Sequence, residues 1–242
     1  MDAGLGALPP AGPGRSPGLF SPNQDARADG VPIDMLVLHY TGMRSAAAAI
    51  ERLCDPVAAV SSHYVVEEDG TLWQLVAEER RAFHAGISFW RGHTALNPRS
   101  IGIEIVNPGH EFGYRPFPPA QMRAVLALCQ GIIARHPIPP RNVVAHSDIA
   151  PNRKQDPGEL FDWAFLAANG IGIWPTTGAG AAYADLDLIT VLTRIGYDPA
   201  LPESVAAFQR HWRQSRVDGA PDDETTNTAR AVLAAIEGLT PS

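Results

Sequence analysis

Cysteine is scarce in this chain: only Cys54 and Cys129 occur in 242 residues, each inside an apolar helical pattern. That spacing offers neither a disulfide framework nor a Cys-x-x-Cys thiolate metal site, and both read as small buried hydrophobes, in keeping with a reducing compartment. No run approaches the ~18 apolar residues of a membrane-spanning helix. The first 30 residues, MDAGLGALPPAGPGRSPGLFSPNQDARADG, lack the basic and continuous apolar regions of a secretory signal. The expected location is therefore cytoplasmic, with periplasm or cell wall as the alternative. Positive charge is also short. Lys and Arg number 19 against 26 Asp and Glu, a formal net charge of −7, and no basic stripe marks a nucleic-acid binder. An HExxH helix, one signature of zinc peptidases, is missing as well.

What is present is an α/β pattern. Residues 1–24 are rich in Gly, Pro and Ala and predict a flexible or loosely docked tail. "IDMLVLHY" predicts a buried strand ending in His39, and "TGMRSAAAAIERLCDP" a short helix stopped by Asp-Pro. "SSHYVVEEDGTLWQLV" predicts a hairpin turning at Asp69-Gly70. In "SIGIEIVNPG", Ile101, Ile103 and Ile105 share one face, and Gly102, Glu104 and Val106 the other. A long helix, "PAQMRAVLALCQGIIARHP", and a short strand, "NVVAH", follow. The fold class expected is α/β, a mixed central sheet flanked by helices, followed by a small all-helical domain. The boundaries expected are 25–175 for the first domain, 176–182 for a Gly/Thr/Ala linker and 183–242 for the helical one.

Eight histidines are the candidates for metal chemistry. His136 ends a helix and reads as a cation complementing its dipole. His211 reads as solvated on the polar side of its helix, and His93 and His110 as surface loop residues. His39 and His146 differ, because each closes a buried-type strand, and strand ends at one sheet edge converge. Asp156, ten residues after His146 in "HSDIAPNRKQDPG", makes a two-His-one-carboxylate site that leaves a fourth position on zinc for water. Glu104, between isoleucines in mid-strand, is costly unless a cleft receives it, and there it could take a proton from water. Lys154 could place a positive charge where an oxyanion develops. A structural histidine, an ordinary salt bridge and a solvated lysine remain the competing explanations of these positions.

The blocks "MLVLHYTGM", "SSHYVVEEDGTLWQLVAEERRAFHAG", "SIGIEIVN" and "HSDIAPNRKQDPG", in that order, resemble the zinc-dependent N-acetylmuramoyl-L-alanine amidases of the type-2 amidase family. Phage amidase lysozymes and peptidoglycan recognition proteins are related to that family. The resemblance, over roughly residues 24–175, implies His39, His146 and Asp156 as ligands of one catalytic zinc ion, Glu104 as general base and Lys154 as the oxyanion lysine. It also implies His84, in "FHAG", as a residue bordering the substrate groove. Some relatives carry Cys where this chain has Asp156. Residues 183–242, with "SVAAFQRHWR", resemble a short peptidoglycan-binding domain, against a plain helical bundle packed on the first domain. The implied partners are peptidoglycan or muropeptide fragments, cut at the amide between N-acetylmuramic acid and L-alanine. A non-catalytic peptidoglycan recognition module is the rival. The wall-binding resemblance and the signal-less start point to different substrates, polymeric murein against soluble anhydro-muropeptides.

Overall fold

In a computed structural model, which describes residues 19–238, the first half of the chain alternates strands and helices. It runs through Gln24–Ala26 (β1), Met35–Tyr40 (β2), Ala46–Cys54 (α1), Tyr64–Val66 (β3), Leu72–Gln74 (β4), Arg80–Ala82 (β5) and Ser100–Ile105 (β6). Gly109–Phe112 (α2), Pro119–Arg135 (α3), Val143–Ala145 (β7), His146–Ile149 (α4) and Trp163–Ala168 (α5) follow. Leu188–Ile195 (α6), Ser204–Trp212 (α7) and Asp223–Glu237 (α8) complete it.

Five strands form a mixed sheet in the order β4-β3-β6-β2-β7, with only β4 antiparallel to its neighbour. β2 and β6 are central and covered on both faces, which is why both are rich in aliphatic residues. Side-chain alternation then sorts the layers. Leu36, Leu38, Ile101, Ile103 and Ile105 face α3 and pack on its Val125, Leu128, Cys129 and Ile132. On the opposite face Met35, Val37 and Val144 share a core with Leu192, Tyr197 and Phe208 of the C-terminal helices. Val106 packs there against Leu53 of α1. The expected mixed sheet between helices is therefore what forms.

The helical segments at the C-terminus share that core with the sheet rather than burying their apolar faces only among themselves. The expected linker includes part of a 3-10 turn, Ala179–Tyr183. The end of the expected tail also differs from expectation. Ser21 donates to the Leu53 carbonyl (2.5 Å), Asn23 to those of Asp55 and Val60 (2.8 Å each), and β1 pairs with β5 in a separate ribbon. Small polar residues satisfying loop carbonyls leave no periodic trace in a sequence. Residues 1–18 lie outside the described residues.

Away from the sheet's carboxyl edge, Glu78 is buried and accepts from Tyr64 Oη (2.6 Å), Arg135 Nη2 (2.6 Å) and His136 Nε2 (2.7 Å). His136 thus serves a carboxylate as well as ending α3. Burial opposes ionisation of Glu78, but Arg135, Tyr64 and His136 outweigh it and lower its pKa from 4.5 to about 2. A carboxyl with a lowered folded value stabilises fully above about 4.5, and that stability is lost as pH falls from there toward 2. Arg135 is partly exposed, so solvent screening trims the contribution to about 1–2 kcal/mol. Denaturant unfolding of Glu78→Gln should show this loss at pH 7 and a flatter decline between pH 5 and about pH 3. A decline as steep as the parent's would remove Glu78 from the account.

Candidate metal and catalytic site

Three neighbouring strands bring the site together at one level. His39 on β2 is in register with Glu104 on β6, and Leu38 pairs Ala145, so His146, the next residue, falls beside His39. "HSDIAPNRKQDPG" opens as one helical turn, where no regular structure is expected from its prolines, and then curls back. The Ser147 amide donates to the Asp156 carbonyl (3.0 Å), which closes the loop and delivers the Asp156 carboxylate. His39 Nδ1 and His146 Nδ1 are 2.8 Å apart, and Asp156 Oδ2 is 3.1 and 3.0 Å from them, all three residues being buried.

The hydrogen-bond network assigns the tautomers. The Ser100 hydroxyl donates to the Leu96 carbonyl (2.7 Å), so it accepts from His84 Nε2 (3.1 Å). His84 Nδ1 is then an acceptor and takes the proton of His39 Nε2 (3.1 Å), which leaves His39 Nδ1 bare. His146 Nε2 donates to the Ala85 carbonyl (3.3 Å), so its Nδ1 is bare too. Two bare nitrogens and a carboxylate oxygen this close repel one another unless they share a cation. Their separations approach the roughly 3.3 Å edge of a tetrahedral site with 2.0–2.1 Å bonds. The donor set fits a metal ion.

The local electrostatics agree. Burial, followed by the neighbouring His146, lowers the His39 pKa to about 4, keeping the imidazole neutral. Burial and then His39 push His84 well below the usual histidine range. Glu104 goes the other way. Burial first, and Asp156 second, raise it well above the carboxylate range, while Lys154 opposes the rise. Its buried Oε2 has no hydrogen-bond partner among the described residues. Glu104 and Lys154 both line a cleft of about 600 Å³ with His146 and Asp156. The Lys154 ammonium has no ion-pair partner among the described residues.

A family model described as N-acetylmuramoyl-L-alanine amidase matches residues 29–159. N-acetylmuramoyl-L-alanine amidase AmiD of Escherichia coli (strain K12) is 42% identical over 230 residues, 83% of this chain and 82% of AmiD. The chain belongs to this amidase family. The 1,6-anhydro-N-acetylmuramyl-L-alanine amidase AmpD of Enterobacter cloacae is 33% identical over 161 residues, 60% of this chain and 84% of AmpD. Among solved structures, AmiD in complex with the substrate anhydro-N-acetylmuramic acid-L-Ala-D-gamma-Glu-L-Lys superposes with a TM-score of 0.76 at 40% identity, over 86% of this chain and 91% of AmiD. AmpDh3 of Pseudomonas aeruginosa, in complex with anhydromuramic pentapeptide, gives 0.75 at 33%, over 88% and 96%.

Within this amidase-family chain, the structure brings His84, Glu104, His146, Lys154 and Asp156 to the lining of one cleft, with His39 buried beside His146 and Asp156. Both His84 ring nitrogens are engaged by His39 and Ser100, so the ring supports a metal ligand and keeps no polar nitrogen for a substrate. Gly102 makes room for it: a Cβ there would lie 2.5 Å from the His84 ring. That glycine was the available signal in "SIGIEIVN", and it shows only once the facing ring is known. Arg153, beside Lys154, drew no attention in the sequence. Its guanidinium holds the Ala85 and Ile87 carbonyls and so ties the "FHAGIS" segment to the loop of Asp156. His110 sits on the cleft rim, stacked on Tyr114 and bonded to Tyr40 Oη (3.0 Å). His93 is exposed. His211, expected in solvent, is buried between Trp163 and Trp212, with ring centroids 3.8 and 3.6 Å away. Its neighbours come from α5 and from α7 itself, and the distant one is invisible to helical periodicity.

Proposed function

We propose that this chain is a zinc-dependent hydrolase cutting the amide between N-acetylmuramic acid and L-alanine in peptidoglycan or anhydro-muropeptides. The carrying observation is the bare-donor triad of His39, His146 and Asp156 beside an unpartnered, proton-avid Glu104 in one cleft. AmiD and AmpDh3 bound to anhydromuramyl peptides support the substrate class. A zinc ion held by the triad would supply Lewis acidity toward the scissile carbonyl and the attacking water. Glu104 takes the proton of that water and returns it to the leaving amine, a task that suits a carboxyl whose proton affinity is raised by burial and by Asp156. Lys154 sets a positive charge beside the cleft, where it can offset the oxyanion of the tetrahedral intermediate. His84 fixes the orientation and tautomer of His39 through the hydrogen bond between their rings.

A recognition module has no use for a desolvated carboxyl without a partner, since such a group destabilises the fold by an amount only turnover justifies. Among the described residues, no helix is long and apolar enough to cross a membrane. Wall binding by residues 183–242 belongs to the same proposal and rests on the resemblance of "SVAAFQRHWR" to a wall-binding domain. Because those helices share the sheet's core, sedimentation with sacculi has to use the full chain. The deciding experiment is mass spectrometry of products from soluble anhydro-muropeptides and from intact sacculi, with and without chelator. Free stem peptides starting at L-alanine, suppressed by chelator, are expected. Cleavage inside the stem peptide, or no product from either substrate, would overturn the assignment.

A further inference from the structure

The metal-site turn carries a second carboxylate that the chemistry above does not use. Asp148 is buried two residues after His146. Its Oδ2 accepts from the Ala145 amide (2.8 Å) and from His211 Nδ1 (2.7 Å), and its Oδ1 from Tyr197 Oη (2.5 Å). Tyr197 follows α6 and His211 lies in α7, so two of the three donors come from the C-terminal helices. Both lie beyond residue 159, where the family match ends. Each donor is held in turn. His211 is sandwiched between two tryptophans, and Tyr197 packs edge-on against Trp90 at 5.2 Å.

We infer that Asp148 is a positioning residue through which the C-terminal helices set the metal ligands of the site. This role of Asp148 rests on zinc being the ion held by His39, His146 and Asp156. Asp148 grips the amide immediately before His146. The turn it belongs to is closed by the Ala150 amide on the His146 carbonyl (3.0 Å) and carries the Ser147 amide bonded to Asp156 (3.0 Å). The backbone that Asp148 fixes therefore leads to two of the three donors. A carboxyl group with three donors on its two oxygens has little rotational freedom. Removing the tyrosine hydroxyl frees Oδ1 and lets the turn rotate, which moves a ligand whose nitrogen must sit within a few tenths of an ångström of its place. On this account the helices are part of the metal site's scaffold as well as a cover for the sheet.

The test measures zinc affinity of the full chain by competition with a chromophoric chelator, alongside thermal unfolding. Tyr197→Phe and Asp148→Asn are expected to bind zinc about tenfold more weakly, the lower end of what distant supports of metal ligands contribute. Val232→Ala, a cavity in the same core away from Asp148, provides the control: it should lower the melting temperature and leave zinc affinity unchanged. Tyr197→Phe keeps the ring packing, so it still reads out if Asp148→Asn does not fold. Parent-like zinc affinity in Tyr197→Phe, or an equal loss in Val232→Ala, overturns the inference while the zinc reading stands. A parent chain that holds no zinc overturns both.

Discussion

Glu104→Ala should remain folded and keep its zinc while losing about 10²- to 10⁴-fold in amidase turnover, the range general acid–base groups contribute. The expectation comes from the carboxyl's surroundings. Glu104 is not one of the three converging donors, so removing it leaves the triad of His39, His146 and Asp156 intact. Its buried Oε2 lacks a partner among the described residues and its ionised form is opposed by burial and by Asp156. Such a group weakens the fold at neutral pH. The variant should therefore melt at or above the parent's temperature, the usual trade at a catalytic position. Glu104→Gln should behave alike, because it keeps the shape and cannot take a proton. Elemental analysis, melting temperature and turnover of a soluble anhydro-muropeptide, measured on one preparation, check all three points. Unchanged turnover would rule out the base role. Lost zinc would make Glu104 a ligand instead.

Asp156→Ala is expected to strip the metal. Among the described residues the carboxylate is one of three converging donors and the acidic one, facing the His39 and His146 Nδ1 atoms at 3.1 and 3.0 Å. Without it the site keeps two bare nitrogens 2.8 Å apart and no negative charge to balance a divalent ion. The loss of zinc affinity should exceed the ~100-fold that removing a mere support of a ligand can produce. After dialysis the variant should carry a small fraction of the parent's zinc and show no measurable turnover. Chelator treatment of the parent should give the same inactive state, and added zinc should restore the parent but not the variant. A variant that retains full zinc after dialysis would remove Asp156 from the ligand set.

The two substitutions differ because of where the residues come from in the chain, and the same difference separates what could be read in advance. His39, Glu104 and His146 announce themselves as polar residues within or closing apolar strands, and strand order at one sheet edge makes their convergence predictable. Asp156 needs only a loop long enough to return, and the turn residues of "HSDIAPNRKQDPG" supply one. The alternation of Ile101, Ile103 and Ile105 likewise announced the face that meets α3. By contrast, nothing in "FHAG" showed that His84, which lines the cleft, bonds His39 or that Gly102 is cleared to receive its ring. His211 looked solvated on its own helix and is enclosed by aromatic rings from two helices. Ser21 and Asn23 looked like the end of a tail and fasten it to the end of α1 and the loop that follows.

The sequence by itself determined the sheet, the helices and the residue types able to hold a metal and move a proton. These depend on side-chain periodicity and on chemistry that each residue carries wherever it lies. Only the tertiary structure decided which imidazole nitrogen is bare, why ionisation of Glu104 is opposed and how Tyr197 and His211 reach Asp148. Those properties arise from burial and from hydrogen bonds between residues far apart in the chain, such as His39 with His84 and Tyr197 with Asp148. A local pattern cannot encode a partner that the chain meets only after it has folded.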